Sequence, residues 1–296
     1  MDLVSRIEAA HLARQTWLDS RTTNAYRLLN GAGDGCPGLV LDRYGSAYLL
    51  QGEGKAPDLP LAALPEGESL YWKPLGAPDR DAPQHLQGRK LHEPFFIRES
   101  GLQFQIDFQA GYSTGLFLDQ RENRERIGHS GARRLLNCFA YTCSFSVIAA
   151  AEGMKTVSVD LSRHYLDWGR RNFAVNGLDT AQHEFFAGDV FYWLPRMAKW
   201  GRQFDAIVLD PPTFARNRKG QVFQVEKDLG QLIAQAAPLL APEGLLLVSS
   251  NCRRLAPQRM RRMIEENLPG RATFESLQAG ADFPGPTLLR GFWVGR

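Results

Sequence analysis

No C-x-x-C pair occurs in this chain, and no uninterrupted apolar run approaches the ~20 residues that a helix needs to cross a bilayer. Its four cysteines, Cys36, Cys138, Cys143 and Cys252, are too few to staple a chain of this length. Both absences predict a reducing compartment, the cytoplasm, and no membrane partner. Residues 1–10 carry Asp2, Arg6 and Glu8 and lack the apolar centre of a signal peptide. The six histidines, at 11, 85, 92, 129, 164 and 183, show no paired ligand spacing, so no metal is expected. G-x-G-x-x-G and G-x-x-x-x-G-K-[ST] are both missing, which argues against a dinucleotide or a nucleoside triphosphate. Charge of one sign is scarce too. Against 35 Lys and Arg stand 32 Asp and Glu, a net charge of +3 that alone selects no partner.

What is present is the material of a globular protein. The 296 residues are 44% hydrophobic and 23% charged, which supports a buried core and excludes a disordered chain or a coiled coil. By length this is one large domain or two modest ones. No internal repeat or long low-complexity tract is visible. Two basic clusters stand out: Arg216, Arg218 and Lys219, and Arg253, Arg254, Arg259, Arg261 and Arg262. Such clusters either meet phosphates or form a solvated face.

Apolar periodicity divides the chain. Residues 3–19 read as a short amphipathic helix, and GAGDGCPG at 31–38 as a loop. GLVLDRY and SAYLLQ flank Gly45 as a hairpin, and Leu70 to Lys73 is a lone strand candidate. A second hairpin joins Phe95–Arg98 to Leu102–Phe108 through Glu99-Ser100-Gly101, its second arm alternating apolar and polar residues. Beyond about residue 110, apolar strands alternate with helical segments. RRLLNCF (133–139), TVSVDLS (156–162), residues 183–188, FDAIVLDPP (204–212) and GLLLVSS (244–250) read as strands. The helical patterns lie at 144–152, 162–176, 190–199, 221–240 and 256–268, and LLRGFWVGR reads as a last strand. That order predicts an α/β fold, a mostly parallel sheet with helices on both faces. A small α+β domain of a helix and hairpins (1–105) precedes it, and the α/β domain fills 106–296.

In such sheets ligands bind beyond the carboxyl ends of the strands. The first predicted strand runs into Asn137-Cys138-Phe139-Ala140-Tyr141-Thr142-Cys143. The second ends in Asp160-Leu161-Ser162, the third in Gly188-Asp189-Val190, and the fourth in Asp210-Pro211-Pro212-Thr213-Phe214. Asp160 follows Asn137 by 23 residues, near the spacing of an acid that accepts hydrogen bonds from ribose hydroxyls. Asp189 is placed to meet an adenine amino group. In Asp210-Pro-Pro two fixed φ angles make a rigid turn that can aim Asp210 at a reacting base. Taken singly, Asp160 and Asp189 also read as helix N-caps, Asp210-Pro-Pro as a plain turn, and Phe214 as a core residue. Three strand-end acids in register favour a nucleoside cofactor without phosphates, and S-adenosylmethionine has that chemistry.

The segments AYRLLNGAGDGCPGLVLDRYG (25–45), GYSTGLFLDQRENR (111–124), LLNCFAYTCSFSVIAAAEG (135–153), VSVDLSRHYLDWGRRNFAVNGL (157–178), FDAIVLDPPTF (204–214) and GLLLVSSNC (244–252) carry a resemblance. They resemble the class I, Rossmann-like, S-adenosyl-L-methionine-dependent methyltransferases of large-subunit (23S) rRNA, the group that holds cytosine-C5 and guanine-N7 enzymes. The resemblance implies a cofactor pocket from Phe117, Asp119, Arg121, Asn137, Phe139, Ala140, Tyr141, Thr142, Asp160, Asp189 and Asp210. Ser162 and Val190 are expected to bind the cofactor with them. It also implies a partner, 23S rRNA or a pre-ribosomal particle. Two departures stand out. The family often has Gly where this chain has Cys143. Many relatives also carry a PUA-type RNA-binding domain before the segment matching residue 25, where this chain has only about twenty residues.

Cytosine C5 must be activated by a cysteine thiolate adding to C6, whereas guanine N7 has a free lone pair. Aligned on the resemblance, Asn251 takes the position of that nucleophile and Cys252 falls one residue late. In an extended segment one residue turns a side chain to the other face. Guanine N7 is therefore the expected target, with Asp210, Pro211, Pro212, Phe214 and Asn251 around the base and Arg216, Arg218, Lys219, Arg253 and Arg254 on phosphates. Two alternatives remain: a small-molecule or protein methyltransferase on the same fold, and an RNA-binding protein with a degenerate cofactor pocket.

Overall fold

Alternation decides the larger sheet. Along FDAIVL, Ile207 and Leu209 pack into one apolar cluster, and Ala206 and Val208 into another on the opposite face. A strand apolar on both faces must lie inside a helix-covered sheet. A computed structural model describes residues 2–76, 81–111, 113–216 and 220–296 and shows that sheet. The chain forms two compact units, residues 1–121 with 279–287, and residues 122–278 with 288–296.

The first unit opens with α1 (Leu3–Gln15), whose start is fixed by Asp2 accepting a hydrogen bond from the Ser5 amide at 2.8 Å. Strands β1 (Ala25–Asn30), β2 (Leu39–Tyr44), β3 (Ala47–Gly52), β4 (Ser69–Pro74) and β5 (Gln84–Gly88) form one sheet in sequence order. Pairing is antiparallel except between β3 and β4. The β2–β3 hairpin turns at Gly45, whose φ of +67° suits glycine. Ile7 of α1 joins Leu28, Leu41, Tyr48, Leu50 and Leu70 in the core of this unit. Strands β6 (Phe95–Glu99) and β7 (Leu102–Ile106) pair as the second predicted hairpin.

The domain boundary expected near residue 105 moves to Arg121, the first residue of α2 (Arg121–Gly128). Residues beyond β7 pack inward: Phe108 sets its ring edge-on against Tyr44, Tyr71 and Phe95, and Thr114 donates to the Tyr44 hydroxyl at 3.1 Å. The sequence reading also missed the return of residues 279–287. Asp282 is fully buried and accepts from Arg121 through both carboxylate oxygens, at 2.5 and 3.2 Å, and from the Arg27 amide at 3.0 Å. Its carbonyl accepts from Arg14, itself held bidentately by Asp34 at 2.7 Å. Arg121 also lies over the Trp17 ring.

The second unit holds β8 (Arg134–Cys138), α3 (Ser144–Ala151), β9 (Lys155–Asp160), α4 (Arg163–Val175), β10 (Glu184–Ala187), α5 (Val190–Lys199) and β11 (Phe204–Leu209). A two-stranded ribbon, β12 (Phe214–Arg216) and β13 (Val222–Gln224), leads to α6 (Val225–Ala236), β14 (Leu240–Ser250), α7 (Pro257–Asn267), β15 (Thr273–Ser276) and β16 (Arg290–Gly295). The seven-stranded sheet runs β10-β9-β8-β11-β14-β16-β15, with β16 antiparallel to both its neighbours. Residues of α5, α6 and α7 share one apolar cluster with the sheet, and α3 contributes to the other. The helix expected over 221–240 starts only at Val225. Its first residues are spent on the ribbon, and Asp228 accepts from the Gln224 amide at 2.6 Å to begin it.

Replacing Asp282 by Ala leaves the buried Arg121 guanidinium without its carboxylate. Loss of one partner of a buried pair costs about 3–5 kcal/mol, and denaturant titration read from unit-one tryptophans, Trp17 and Trp72, should show a fall of that size.

Candidate active site at the strand ends of the large sheet

The chain passes from the β8-β9-β10 side of the sheet to β11 on the other side of β8. That reversal makes a switch point beyond the carboxyl ends of β8 and β11. Register puts the strand-end residues in line. Cys138 pairs with Val159 and with Leu209, Leu209 pairs with Val248, and Asp160 pairs with Ala187. The residues that follow, Phe139, Asp160, Asp210 and Ser249, therefore stand at one level of the sheet.

Asp160 organises two loops. One carboxylate oxygen accepts from the Tyr141 amide at 2.9 Å and the other from the Ser162 amide at 2.8 Å. Burial raises its pKa above the usual carboxylate range, although both amide bonds favour the charged form. An ionised carboxylate offers about four acceptor sites, so two remain for a diol. Asp160 is not the helix cap; Ser162 caps α4 by accepting from the Tyr165 amide at 3.3 Å. Asp189 does cap α5, accepting from the Phe191 amide at 2.9 Å.

The loop between β8 and α3 has no glycine, yet Phe139, Tyr141 and Cys143 have φ values of +58°, +49° and +62°. Left-handed conformations in residues with a Cβ cost of order 1–3 kcal/mol each and need outside support. The support is visible. Asp160 holds the Tyr141 amide, the Ala140 amide donates to Val159, and Asn172 of α4 donates to the Thr142 carbonyl at 3.0 Å. Cys143, where the family often has Gly, turns inward. It is fully buried, and a Cβ at Gly169 of α4 would stand 2.4 Å from its sulfur. Burial pushes the Cys143 thiol up to about 12.

At β11 the turn is tied to β14. Ser249 donates to Asp210 at 2.6 Å and Thr213 donates to the side-chain oxygen of Asn251 at 3.0 Å. Asn251 is exposed, Pro211 buried, and Pro212 exposed. Phe214 is half exposed rather than part of the core. Cys252 is 3% exposed and packs in the core cluster with Leu255 and Met260, so it presents no thiol at the strand ends.

Other expected cofactor residues serve the framework. Asn137 is buried and donates to Ser146, which shares a hydrogen bond with Ser158. Val190 is buried, and Thr142 is fully buried. Arg121 is committed to Asp282 in the first unit, where Phe117 stands half exposed and Asp119 partly buried. Ala140 lies in the loop described above and is buried. Of the basic residues, Arg216, Arg253 and Arg254 are exposed, while Arg218 and Lys219 lie outside the described residues. Sequence reasoning missed Ser249, Thr213 and Gly169. Only the parallel pairing of β11 with β14 reveals that the residues after Leu209 and Val248 are neighbours.

An α/β sheet with Asp160, Asp189 and Asp210 at the carboxyl ends of β9, β10 and β11, on the two sides of β8, has the layout in which doubly wound folds bind nucleoside cofactors. Residues 59–291 match the model of the S-adenosylmethionine-dependent methyltransferase family, and the chain belongs to that family. It is 36% identical over 274 residues to a ribosomal RNA large subunit methyltransferase of Deinococcus radiodurans, covering 84% of this chain and 65% of that protein. To ribosomal RNA large subunit methyltransferase K of Neisseria meningitidis it is 42% identical over 173 residues, 57% of this chain and 49% of the relative. The chain thus spans less than two thirds of the length of these relatives. Among solved structures, SMU.776 complexed with SAH is similar with a TM-score of 0.89 at 30% identity, covering 99% of this chain and 80% of that one.

The unfilled acceptor capacity of the half-buried Asp160 fits a ribose diol. Ionised Asp160 accepts from hydroxyls and protonated Asp160 accepts less well. Cofactor affinity should therefore fall as pH drops through its raised pKa, above the pH where an exposed aspartate titrates. The contribution of Asp160 to stability has the opposite slope: the folded state binds the proton more tightly, so stability declines as pH rises through the same window. Calorimetric titration with S-adenosylmethionine from pH 7 to pH 4.5 should show the loss, and Asp160→Asn should weaken binding and flatten the profile.

Proposed function

We propose that the chain transfers a methyl group from S-adenosyl-L-methionine to guanine N7 in 23S rRNA, on the free RNA or a pre-ribosomal particle. The observation that carries the choice of atom is the pair Asn251 and Cys252. The exposed Asn251 is tied to Thr213, whereas the Cys252 sulfur lies in the core. Methylation at cytosine C5 needs a thiolate at the base. The rRNA substrate is supported by what the relatives are named for.

Asp160 would hold the ribose and Asp189 the adenine edge, with the 139–143 loop beside them. The bound cofactor supplies an electrophilic methyl group on a sulfonium. Guanine N7 already carries the lone pair that accepts it, so the chain needs neither a general base nor a covalent adduct. Its task is to place the base and exclude water. Half-exposed Phe214 would stack on the extruded base, and the Pro211-Pro212 turn fixes its direction. Asp210, oriented by Ser249, and Asn251, oriented by Thr213, would hydrogen-bond the base edge. Arg216, Arg253 and Arg254, with Arg218 and Lys219, would take phosphates.

The protein is incubated with unmodified RNA and cofactor carrying a deuterated methyl group, and the digested nucleosides are analysed by mass spectrometry. Label is expected in 7-methylguanosine and is retained in Cys252→Ala. Label in 5-methylcytidine that vanishes in Cys252→Ala would overturn the choice of atom. Loss of one base stack costs about 1–3 kcal/mol, so Phe214→Ala should lower kcat/KM by roughly 5- to 150-fold while leaving calorimetric cofactor affinity unchanged.

A further inference from the structure

Helix α5 turns its apolar residues Val190, Leu194 and Met197 into the core. Its opposite face is not an ordinary charged surface. Tyr192, Arg196 and Lys199, with the C-cap residue Trp200, recur at i, i+4, i+7 and i+8, one stripe along the helix and its end, and all four are exposed. Tyr192 is 48% and Trp200 56% exposed, so the stripe shows two large rings to solvent. The Arg196 guanidinium lies 3.6 Å from the centre of the Tyr192 ring. Behind them stands an aromatic cluster: Trp193 lies 4.6 Å from Phe186, 5.1 Å from Tyr192 (edge-on) and 6.3 Å from Trp200, centroid to centroid. The Trp193 indole donates to the Ala187 carbonyl, which fixes the cluster to the end of β10.

Charge on this stretch has one sign. Residues 190–203 contain Arg196, Lys199 and Arg202 and no Asp or Glu. Arg202 is paired with Glu184, whereas among the described residues neither Arg196 nor Lys199 enters an ion pair. Exposed aromatic planes alternating with cations are the two elements that sequence-tolerant single-strand binding needs: rings for bases and cations for the backbone. A second copy of this chain is a poorer occupant. A two-fold contact lays a patch on itself, and a patch that carries Arg196 and Lys199 and no acid offers its copy no opposite charge.

We propose that this face of α5 binds a single-stranded segment of the RNA substrate outside the methylation site. Tyr192 and Trp200 stack on bases, and Arg196 and Lys199 contact phosphates. The two rings are separated by eight residues, about 12 Å along the helix axis, which leaves room for a short run of nucleotides. The proposal rests on the reading that the substrate is RNA. It adds an RNA contact distinct from the basic residues near Phe214 and Asn251.

Fluorescence anisotropy of the full chain with a fluorescein-labelled, mixed-sequence single-stranded RNA 12-mer tests it. Tyr192→Ala and Trp200→Ala should each weaken binding by about tenfold, and Trp200→Phe should restore most of the loss. Arg196→Gln combined with Lys199→Gln should reduce the slope of log affinity against log salt by about 1.4, two phosphates at ~0.7 each. Calorimetric affinity for S-adenosylmethionine should not move in any of these variants. If the variants bind the 12-mer as the parent does while the parent labels RNA, the face is not an RNA site and the methylation reading stands. If the parent labels no RNA but the losses and the Trp200→Phe rescue are seen, the face stands and the methylation reading fails. Unchanged RNA affinity with a dimer-to-monomer shift in sedimentation velocity would assign the face to a second copy and overturn the proposal.

Discussion

Both oxygens of one carboxylate, Asp160, are spent on backbone amides of two loops, at Tyr141 and at Ser162. The arrangement at the strand ends depends on this clamp. It fixes the path of the loop after β8 and the entry to α4, and it keeps a half-buried acid with acceptor capacity to spare. Burial opposes the charge and the amides favour it, and burial prevails in setting the direction of the pKa. A side chain so placed is a structural tie whose remaining lone pairs, on the proposed reading, serve a ligand diol.

The loop it holds is expensive. Three residues with a Cβ sit at positive φ where glycine would cost little. The cost is borne by fixed partners: Asp160, the Val159 carbonyl, Asn172, and the absence of a Cβ at Gly169, where the Cys143 sulfur fits. A loop over-determined in this way is rigid before any ligand arrives, and such preorganisation lowers the ordering cost of binding. Cys143, conspicuous in the sequence as a departure from glycine, proves to be a packing residue against α4.

Much was legible beforehand because it depends on local periodicity. The alternating apolar runs gave β8, β9, β11 and β14, and the 3.6-residue patterns gave α3, α4, α5 and α7. Gly45 and Ser100-Gly101 marked both hairpins. The acids at the strand ends were legible by position alone. Their duties were left as alternatives, a helix cap or a ligand group for Asp160 and Asp189 alike. Asp189 caps a helix, Asp160 does not, Asn137 is buried against Ser146, and Arg121 belongs to an ion pair with Asp282. The β12–β13 ribbon was read as the start of a helix because two three-residue strands carry no period of their own. Residues 279–287 gave no local signal that they return to the first unit.

By itself the sequence determined which segments are strands and helices, that the larger sheet is buried on both faces, and which acids end its strands. Those follow from the spacing of apolar residues along a short stretch of chain. Tertiary structure decided what pairs with what: Ser249 with Asp210, Thr213 with Asn251, Gly169 with Cys143, Asp282 with Arg121. It also decided that Phe214 faces solvent while Cys252 faces the core. Those outcomes depend on strand register and on contacts between residues far apart in the chain, and no local pattern encodes them.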